Sequence, residues 1–345
     1  MTADFRAFAE DSERRRAERK LDFVKWSAAQ ARFLNLTQKF AYNRAANQSG
    51  KSYAAGGLIA YTATGLYPGD YKGWRPKLRT DGAYGAVVWV LSTTGQMVRD
   101  GLQNITLGDV AGGRAGTGLI PKDCIVSIQT SRGIAGAVDF CTVRRVDGTI
   151  SKIAFKTYEQ GRTAVQAEPV SLIICDELLD DLAMWHELIA RTTVTNGILR
   201  LTATERLQSS PVALWFKENA GPDVVTLTTS LDEAEHLSAE EKARILASYK
   251  SEAERNTRYY GLPFQGAGSV FETPWAQVSE AMNPATFPSW YKYLIALDFS
   301  HFGRSETSSQ FACVFMAVDP VTKVTRIYDC FKMRGVPEQH AAGCG

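Results

Sequence analysis

The sequence predicts an α/β fold in which a mostly parallel sheet is flanked by helices. Two observations predict this class. From residue 26 to about 230, short apolar runs alternate with longer helical stretches. The runs 86–91 and 172–175 are apolar on consecutive residues, as in strands buried on both faces of a parallel sheet. The predicted strands are 40–44, 86–91, 172–175, 197–202 and 224–228, and the predicted helices include 53–64 and 239–249.

Length and composition are those of a globular protein with about two domains. The chain has 345 residues, 45% hydrophobic and 22% charged, and a net charge of +2, which excludes a strongly basic nucleic-acid coat. The six cysteines lack CxxC spacing, so neither a zinc site nor a disulfide framework is expected. No apolar run approaches the ~20 residues of a membrane span, and a soluble intracellular protein is expected.

The earliest segments are a charged arm and a phosphate-binding motif. Residues 1–25 alternate in charge sign, which is typical of a solvated helical arm. Residues 45–52 then read Ala-Ala-Asn-Gln-Ser-Gly-Lys-Ser, the form A-x4-G-K-S of a phosphate loop. The predicted nucleotide-binding residues of this loop are Ala45, Asn47, Gln48, Ser49, Gly50, Lys51 and Ser52.

The chemistry of this loop follows from three of its residues. Gly50 lets backbone N–H groups approach a phosphate closely, Lys51 supplies a positive charge, and the Ser52 hydroxyl is suited to ligate Mg²⁺. A strand precedes the motif and a helix follows it, so the helix dipole also favours an anion there. The motif has Ala45 where the common loop has glycine. The alternative to a phosphate loop is a chance Gly-Lys-Ser at the start of a helix.

An acidic pair ends the buried run 172–175. We expect Asp176 to hold Mg²⁺ and Glu177 to polarise the attacking water. Because ligands bind at the carboxyl ends of parallel strands, both acids should face the phosphate loop. The alternative is that the pair forms the N-cap of a helix over 178–190, a role that is compatible with catalysis.

At these residues the sequence resembles the large terminase subunit of tailed bacteriophages, an ATP-driven DNA-packaging motor. The resemblance runs from about residue 26 over nearly the whole chain. Besides residues 47–52, it rests on Thr-Gly-Leu-Tyr-Pro at 64–68 with Trp74 downstream, on 116–118 and 120–123, and on Phe-Lys-Thr-Tyr-Glu-Gln-Gly-Arg at 155–162. It implies a P-loop NTPase fold of the ASCE type, followed by the first strands of an RNase H-like domain.

The resemblance also implies roles for residues outside the two motifs. Gln30 is similar to the family's upstream glutamine, which reads adenine, and an amide matches the donor and acceptor on that base. Thr202 and Thr204 are similar to its coupling motif, whose hydroxyls sense the γ-phosphate. The alternatives are a solvated helix residue for Gln30 and ordinary strand-end residues for the threonines.

An arginine finger is expected as well, because the transition state of phosphoryl transfer needs a fixed guanidinium. Arg162 is the first choice, since it lies in a glycine-containing turn just before the acidic strand. Its alternative is a structural salt bridge. Spacing leaves three rivals open: Arg44, Arg132 and Arg206.

Near the C-terminus, the runs 293–299, 310–318 and 324–331 predict an antiparallel meander. Asp298 resembles the first metal-binding aspartate of the family's RNase H-like nuclease. Two-metal hydrolysis needs several carboxylates, and we match no further one, so this chain is not expected to cut DNA. Asp319 is interpreted as a turn residue. The predicted organisation is an arm over 1–25, an ATPase domain over 26–230, a linker over 231–285 and an incomplete nuclease domain over 286–345.

The leading hypothesis is an ATPase that uses Mg²⁺ to drive double-stranded DNA into a procapsid in the host cytoplasm. Its expected partners are DNA, a small terminase subunit and the portal, on which it would form a homo-oligomeric ring. One alternative is a decayed prophage fragment that binds nucleotide or partners without motor or nuclease activity. Another is a helicase-type ATPase, although no helicase motif follows residue 204.

Overall fold

The structure is a computed structural model that describes residues 3–166, 168–206, 210–263, 283–298 and 311–333. The chain divides into two compact units, residues 1–269 and 270–345, and this division falls within the predicted linker 231–285. The helices are α1 Ala3–Glu18, α2 Ala28–Leu34, α3 Lys51–Thr64, α4 Gly95–Val98, α5 Asn104–Leu107, α6 Leu182–Thr193, α7 Pro211–Glu218, α8 Ala239–Ser248 and α9 Glu252–Glu254.

The first unit is built on an eight-stranded sheet. Its strands are β1 Phe40–Ala45, β2 Ala86–Ser92, β3 Ile125–Thr130, β4 Val138–Arg144, β5 Ile150–Thr157, β6 Leu172–Asp176, β7 Ile198–Ala203 and β8 Val224–Thr229. Their order is β3-β4-β5-β2-β6-β7-β1-β8. The six strands from β5 to β8 in that order are parallel, and β3 and β4 extend the sheet as antiparallel strands. The predicted α/β class is therefore confirmed.

Two hydrophobic cores, one on each face, explain why the central strands lack an alternating pattern. On β2, Val88 and Val90 pack into the core that contains α3. Val87, Trp89 and Leu91 pack into the other core, beneath α6 and α7. Neighbouring residues of an extended strand point to opposite faces, so a strand covered on both sides is apolar throughout.

The second unit contains a three-stranded antiparallel sheet, β9 Lys292–Asp298, β10 Phe311–Val318 and β11 Thr325–Met333, with β10 in the centre. The predicted meander is thus confirmed. Asp319 lies in the turn between β10 and β11, where its side chain accepts hydrogen bonds from the N–H groups of Val321 and Thr322. Among the residues that the structure describes, no helix is both long and apolar enough to cross a membrane.

Candidate active site

The candidate site lies where three parallel strands end. β7 pairs with β1 on one side and with β6 on the other. Asp176 on β6 is opposite Thr202 on β7, and Thr202 is also opposite Asn43 on β1. Since the carboxyl ends of parallel strands share one edge of the sheet, the phosphate loop after β1 and the acids after β6 lie on either side of the end of β7.

The backbone of the phosphate loop takes left-handed conformations at two positions. Gln48 has φ +59° and Gly50 has φ +84°, and Gly50 is the N-cap of α3. Ala45, in contrast, is the last residue of β1, paired with Thr229 and fully buried. No left-handed residue is needed at that position, which explains why alanine replaces the usual glycine there. The Ser49 hydroxyl closes the loop by donating to the carbonyl oxygen of Ala46 at 2.8 Å.

A buried carboxylate joins the loop to the sheet. The Ser52 hydroxyl donates to the carboxylate oxygens of Asp176 at 3.1 and 3.2 Å, and the Thr202 hydroxyl donates to one of them at 2.7 Å. Burial raises the pKa of Asp176, while the bonds from Thr202 and Ser52 and the charge of Lys51 oppose that shift. The hydroxyl and the carboxylate predicted to hold Mg²⁺ are thus adjacent.

The loop lysine is held by a hydroxyl. The Lys51 ammonium donates to Thr204 Oγ1 at 3.0 Å, and the Thr204 hydroxyl donates to Asn47 Oδ1 at 2.8 Å. A chain of two hydrogen bonds therefore runs from the helix start to the residue after β7 and back to the loop. Thr202 and Thr204 hydrogen-bond different parts of the site, Thr202 the Asp176 carboxylate and Thr204 the Lys51 ammonium. Their role in sensing the γ-phosphate stays a prediction.

Glu177 has an unusual backbone conformation, with φ +74°. Its N–H donates to the carbonyl oxygen of Thr202 at 2.8 Å. Its carbonyl oxygen accepts from the Tyr158 hydroxyl at 2.9 Å. Burial raises the pKa of the Glu177 carboxyl, with a contribution from Asp176, whereas the charges of Lys51 and Arg206 act in the opposite direction.

The N-cap interpretation of the acidic pair is wrong. The next helix, α6, begins at Leu182 rather than at 178. Its cap is Asp181, whose side chain accepts from the N–H of Met184 at 2.9 Å. Asp176 and Glu177 are therefore not occupied in capping a helix, and Asp176 instead accepts from Ser52 and Thr202.

Gln30 contacts the phosphate loop directly. Its Nε2 donates to the carbonyl oxygen of Gly50 at 3.3 Å, so it is more than a solvated helix residue. Its Oε1 accepts from the N–H of Ser27 at 3.0 Å, within a capping box at the start of α2. Gln30 thus connects the start of α2 to the start of α3, and its role in reading adenine stays a prediction.

The four candidate arginines are in different environments. Arg162 is exposed in a short turn after β5 and makes no hydrogen bond or ion pair within the described parts of the chain. Arg132 is likewise exposed. Arg44 donates to the carbonyl oxygen of Gly261 at 2.7 Å and to Thr228 at 2.8 Å, which is a structural role. Arg206 pairs with Asp180 at 2.7 Å, and its charge reaches Glu177.

Asp298 belongs to the second unit. It is the last residue of β9, opposite Ala312 on β10, and its side chain lies outside what the structure describes. Within the described residues, no group of three or more histidine, cysteine, aspartate or glutamate side chains is placed to hold a metal ion. The role of Asp298 in metal binding stays a prediction.

A cavity of about 430 Å³ adjoins the phosphate loop. The motif residues Gln48, Gly50, Lys51 and Ser52 line one side, and the other lining residues are Tyr53, His236 and Leu237. A cavity of about 540 Å³ near α2 contains none of the predicted site residues. Tyr53 directly follows the motif but has no part in its pattern, and no motif marks His236 and Leu237, which come from a distant part of the chain.

Tyr158 was also missed, although it lies inside the segment 155–162 that carries part of the resemblance. One signal was available, since a tyrosine directly after a buried strand is at the edge of the sheet where the ligand binds. Its target is a backbone carbonyl, however, and sequence patterns do not reveal such partners.

These features define a P-loop NTPase fold of the ASCE type. The phosphate loop follows β1, the acidic pair ends β6, and the additional strand β7 lies between them. Residues 44–278 match the profile of a family described as terminase large subunit, T4likevirus-type, N-terminal, and the chain belongs to this family.

Individual relatives agree with this assignment. The chain is similar to the terminase large subunit of Salmonella phage P22, with 30% identity over 272 residues, which is 74% of this chain and 53% of that protein. It is also similar to that of Enterobacteria phage LP7, with 28% identity over 117 residues, 34% of this chain and 24% of that protein. The chain thus spans about half the length of the P22 relative.

The fold is similar to that of a large terminase from a thermophilic bacteriophage, solved in its crystal form 2. The TM-score is 0.51 at 11% identity, over 93% of this chain and 73% of that chain. At this level of identity the likeness concerns the fold alone.

Proposed function

We propose that the site hydrolyses ATP and that the chain acts as the motor part of a phage DNA-packaging terminase. The observation that carries this proposal is the contact between the Ser52 hydroxyl and the Asp176 carboxylate, at 3.1 and 3.2 Å. It joins the phosphate loop to the acidic strand, and Lys51 and Glu177 are the chain neighbours of its two partners. Membership of the terminase family supports the same conclusion.

In this proposal each part of the loop binds phosphate in its own way. The free N–H groups at the start of α3 would bind the anion, and the Lys51 ammonium would leave Thr204 to contact the terminal phosphates. We assign Gln30 to the recognition of adenine: it contacts Gly50, and its Nε2 has a second hydrogen to donate.

The donor set fits Mg²⁺. This ion is commonly bound by one or two protein ligands together with substrate phosphates and water, so a hydroxyl and one carboxylate are sufficient. Ser52 and Asp176 would hold it, and the bound ion would neutralise charge on the phosphates. The hydroxyl groups of Ser52 and Thr202 donate to the buried Asp176 carboxylate, and these hydrogen bonds fix its orientation.

We assign the polarisation of the attacking water to Glu177. Burial raises the pKa of Glu177 towards the pH at which the site would work, and a carboxylate with a higher pKa is a better proton acceptor. Release of the γ-phosphate would free Lys51 to return to Thr204, and this exchange couples hydrolysis to the end of β7. For the finger we retain Arg162, which is exposed and free of competing partners in the described parts of the chain.

The motor function includes partners that this chain would need. We propose that it grips double-stranded DNA through phosphate contacts, so that affinity falls steeply with salt. The further partners are a small terminase subunit and the portal, on which the chain would form a homo-oligomeric ring in the host cytoplasm. The RNase H-like assignment of residues 286–345 stays a prediction.

The test is DNA-stimulated phosphate release by the whole chain. Lys51→Ala and Glu177→Gln should abolish it. Lys250→Ala and Glu240→Gln change the same residue types at exposed positions and should leave it intact. Equal release by wild type and both site variants would refute the motor assignment and favour a decayed fragment. Gln30→Ala should reduce the preference for ATP over GTP.

A further inference from the structure

Tyr158 links the turn after β5 to the acidic pair. The residue directly follows β5 and begins the short helical turn Tyr158–Gln160. Because β2 lies between β5 and β6, its side chain has to reach past the end of β2 to contact β6. There its hydroxyl donates to the carbonyl oxygen of Glu177 at 2.9 Å and lies 3.5 Å from that of Asp176.

The contact falls on a strained residue. Glu177 has φ +74°, a region that L-residues other than glycine seldom occupy and that needs support from the surroundings. Two hydrogen bonds provide this support. The Glu177 N–H is bonded to Thr202, and its carbonyl oxygen is bonded to Tyr158. The direction of the Glu177 side chain therefore depends on a neighbour on each side.

The Tyr158 hydroxyl is the donor in this contact, because a carbonyl oxygen can only accept a hydrogen bond. Burial raises the pKa of Tyr158 well above its ordinary value, and the neighbouring groups Cys175, Asp176 and Glu177 act in the same direction.

The proposed finger lies in the next turn of the chain. Gly161, with φ +67°, directly follows Tyr158–Gln160, and the next turn is Arg162–Val165. The turn Tyr158–Gln160 is further fixed by a capping box, in which the Gln160 side chain accepts from the N–H of Thr157 at 3.1 Å. The Tyr158 contact and Arg162 are therefore four positions apart in the chain, in two consecutive turns joined by Gly161.

We propose that Tyr158 is a positioning residue that fixes the backbone of Glu177 and couples it to the turn that carries Arg162. The proposal rests on the proposed ATP hydrolysis. A displacement of the turn pulls on the Glu177 carbonyl through the phenol, and the carboxylate then leaves the direction in which it polarises water. Tyr158 is not among the residues that line the cavity beside the phosphate loop.

The test compares Tyr158→Phe with Tyr84→Phe. Tyr84 packs against the same hydrophobic core, but its hydroxyl makes no hydrogen bond within the described residues. Loss of one hydrogen bond predicts that Tyr158→Phe lowers kcat about threefold to tenfold, with KM for ATP unchanged, while Tyr84→Phe leaves both constants unchanged. A general loss of structure would raise KM as well, and equal kcat in both variants would overturn the proposal.

A second measurement does not depend on hydrolysis. Hydrogen exchange at the Glu177 amide, which is bonded to Thr202, should be faster in Tyr158→Phe than in wild type or in Tyr84→Phe. Unchanged exchange overturns the positioning role even if the wild type proves inactive, whereas an inactive wild type with faster exchange in the variant overturns only the ATPase assignment. Combining Tyr158→Phe with Arg162→Ala should give a less than additive loss of kcat, and full additivity would overturn the coupling.

Discussion

Replacing Gly50 by alanine tests the geometry of the phosphate loop against a matched position. Gly50 has φ +84°, and Gly148, in the turn between β4 and β5, has the same φ. A Cβ at Gly148 would meet no atom within 4 Å, but one at Gly50 would lie 2.6 Å from Gln30 Nε2. The two substitutions therefore share the backbone strain and differ in the clash.

The expected magnitudes follow from these two terms. An alanine in the left-handed region costs about 1–2 kcal/mol, which is the whole effect expected for Gly148→Ala. In Gly50→Ala the Gln30 side chain must also move. It then loses its bond to the Gly50 carbonyl oxygen and its place in the capping box, which adds about 1 kcal/mol. The sum predicts a loss of ~2–3 kcal/mol for Gly50→Ala.

The assay is urea-induced unfolding of the whole chain, followed by tryptophan fluorescence. The free energies of unfolding of the variants are compared where their m-values are equal. Repeating both substitutions in a Gln30→Ala background should make the two losses equal, because the clashing side chain has been removed. Equal losses in the native background would refute the contact between Gln30 and Gly50. A difference that persists without Gln30 would show that the extra cost arises elsewhere in the loop.

Three further predictions concern the charged groups. Because the Arg206 charge lowers the pKa of Glu177, Arg206→Gln should move the acidic limb of the pH–rate profile of hydrolysis to higher pH. Thr204→Val removes the hydroxyl that holds Lys51, so KM for ATP should rise about threefold to tenfold in steady-state kinetics. The folded-state pKa of Asp176 is raised above its ordinary value of 3.8, so the native state binds the proton more tightly and stability falls as pH rises through the window between the two values. Asp176→Asn should therefore raise Tm relative to wild type at a pH above that window and not at a pH below it. Because Asp176 is a proposed Mg²⁺ ligand, the same variant should also abolish hydrolysis.

Sequence reasoning predicted those features that repeat over a segment or rest on residue type. The central strands were found because residues such as Val87 and Val88 are both apolar and face different cores. The loop and the acidic pair were found because phosphate and magnesium require a lysine, a hydroxyl and a carboxylate at fixed places. The strands β3, β4 and β5 were not identified, since on β3 the exposed and half-buried residues give a weak pattern.

What the sequence could not supply was the connection between distant residues. The start of α6 was placed too early because Asp176 and Glu177 are themselves good N-cap candidates, and only packing moves the cap to Asp181. The bond from Tyr158 to a carbonyl of Glu177 spans 19 positions and involves a backbone atom that every residue possesses. The partners of the arginines, such as Asp180 for Arg206, were likewise beyond the sequence, and the choice of Arg162 as the finger stays a prediction.

The bond between Lys51 and Thr204 affects how an anion enters the cleft. A lysine bound to a carboxylate would first have to break an ion pair, and the carboxylate would then repel the incoming anion. Here the ammonium leaves a neutral hydroxyl, and a charged oxygen forms a stronger bond in its place. The long side chain is already confined near the mouth of the loop, so little rotational freedom is lost on capture. When a polyanion binds, Lys51 would therefore exchange the Thr204 hydroxyl for a stronger acceptor. When the anion leaves, Lys51 would return to Thr204.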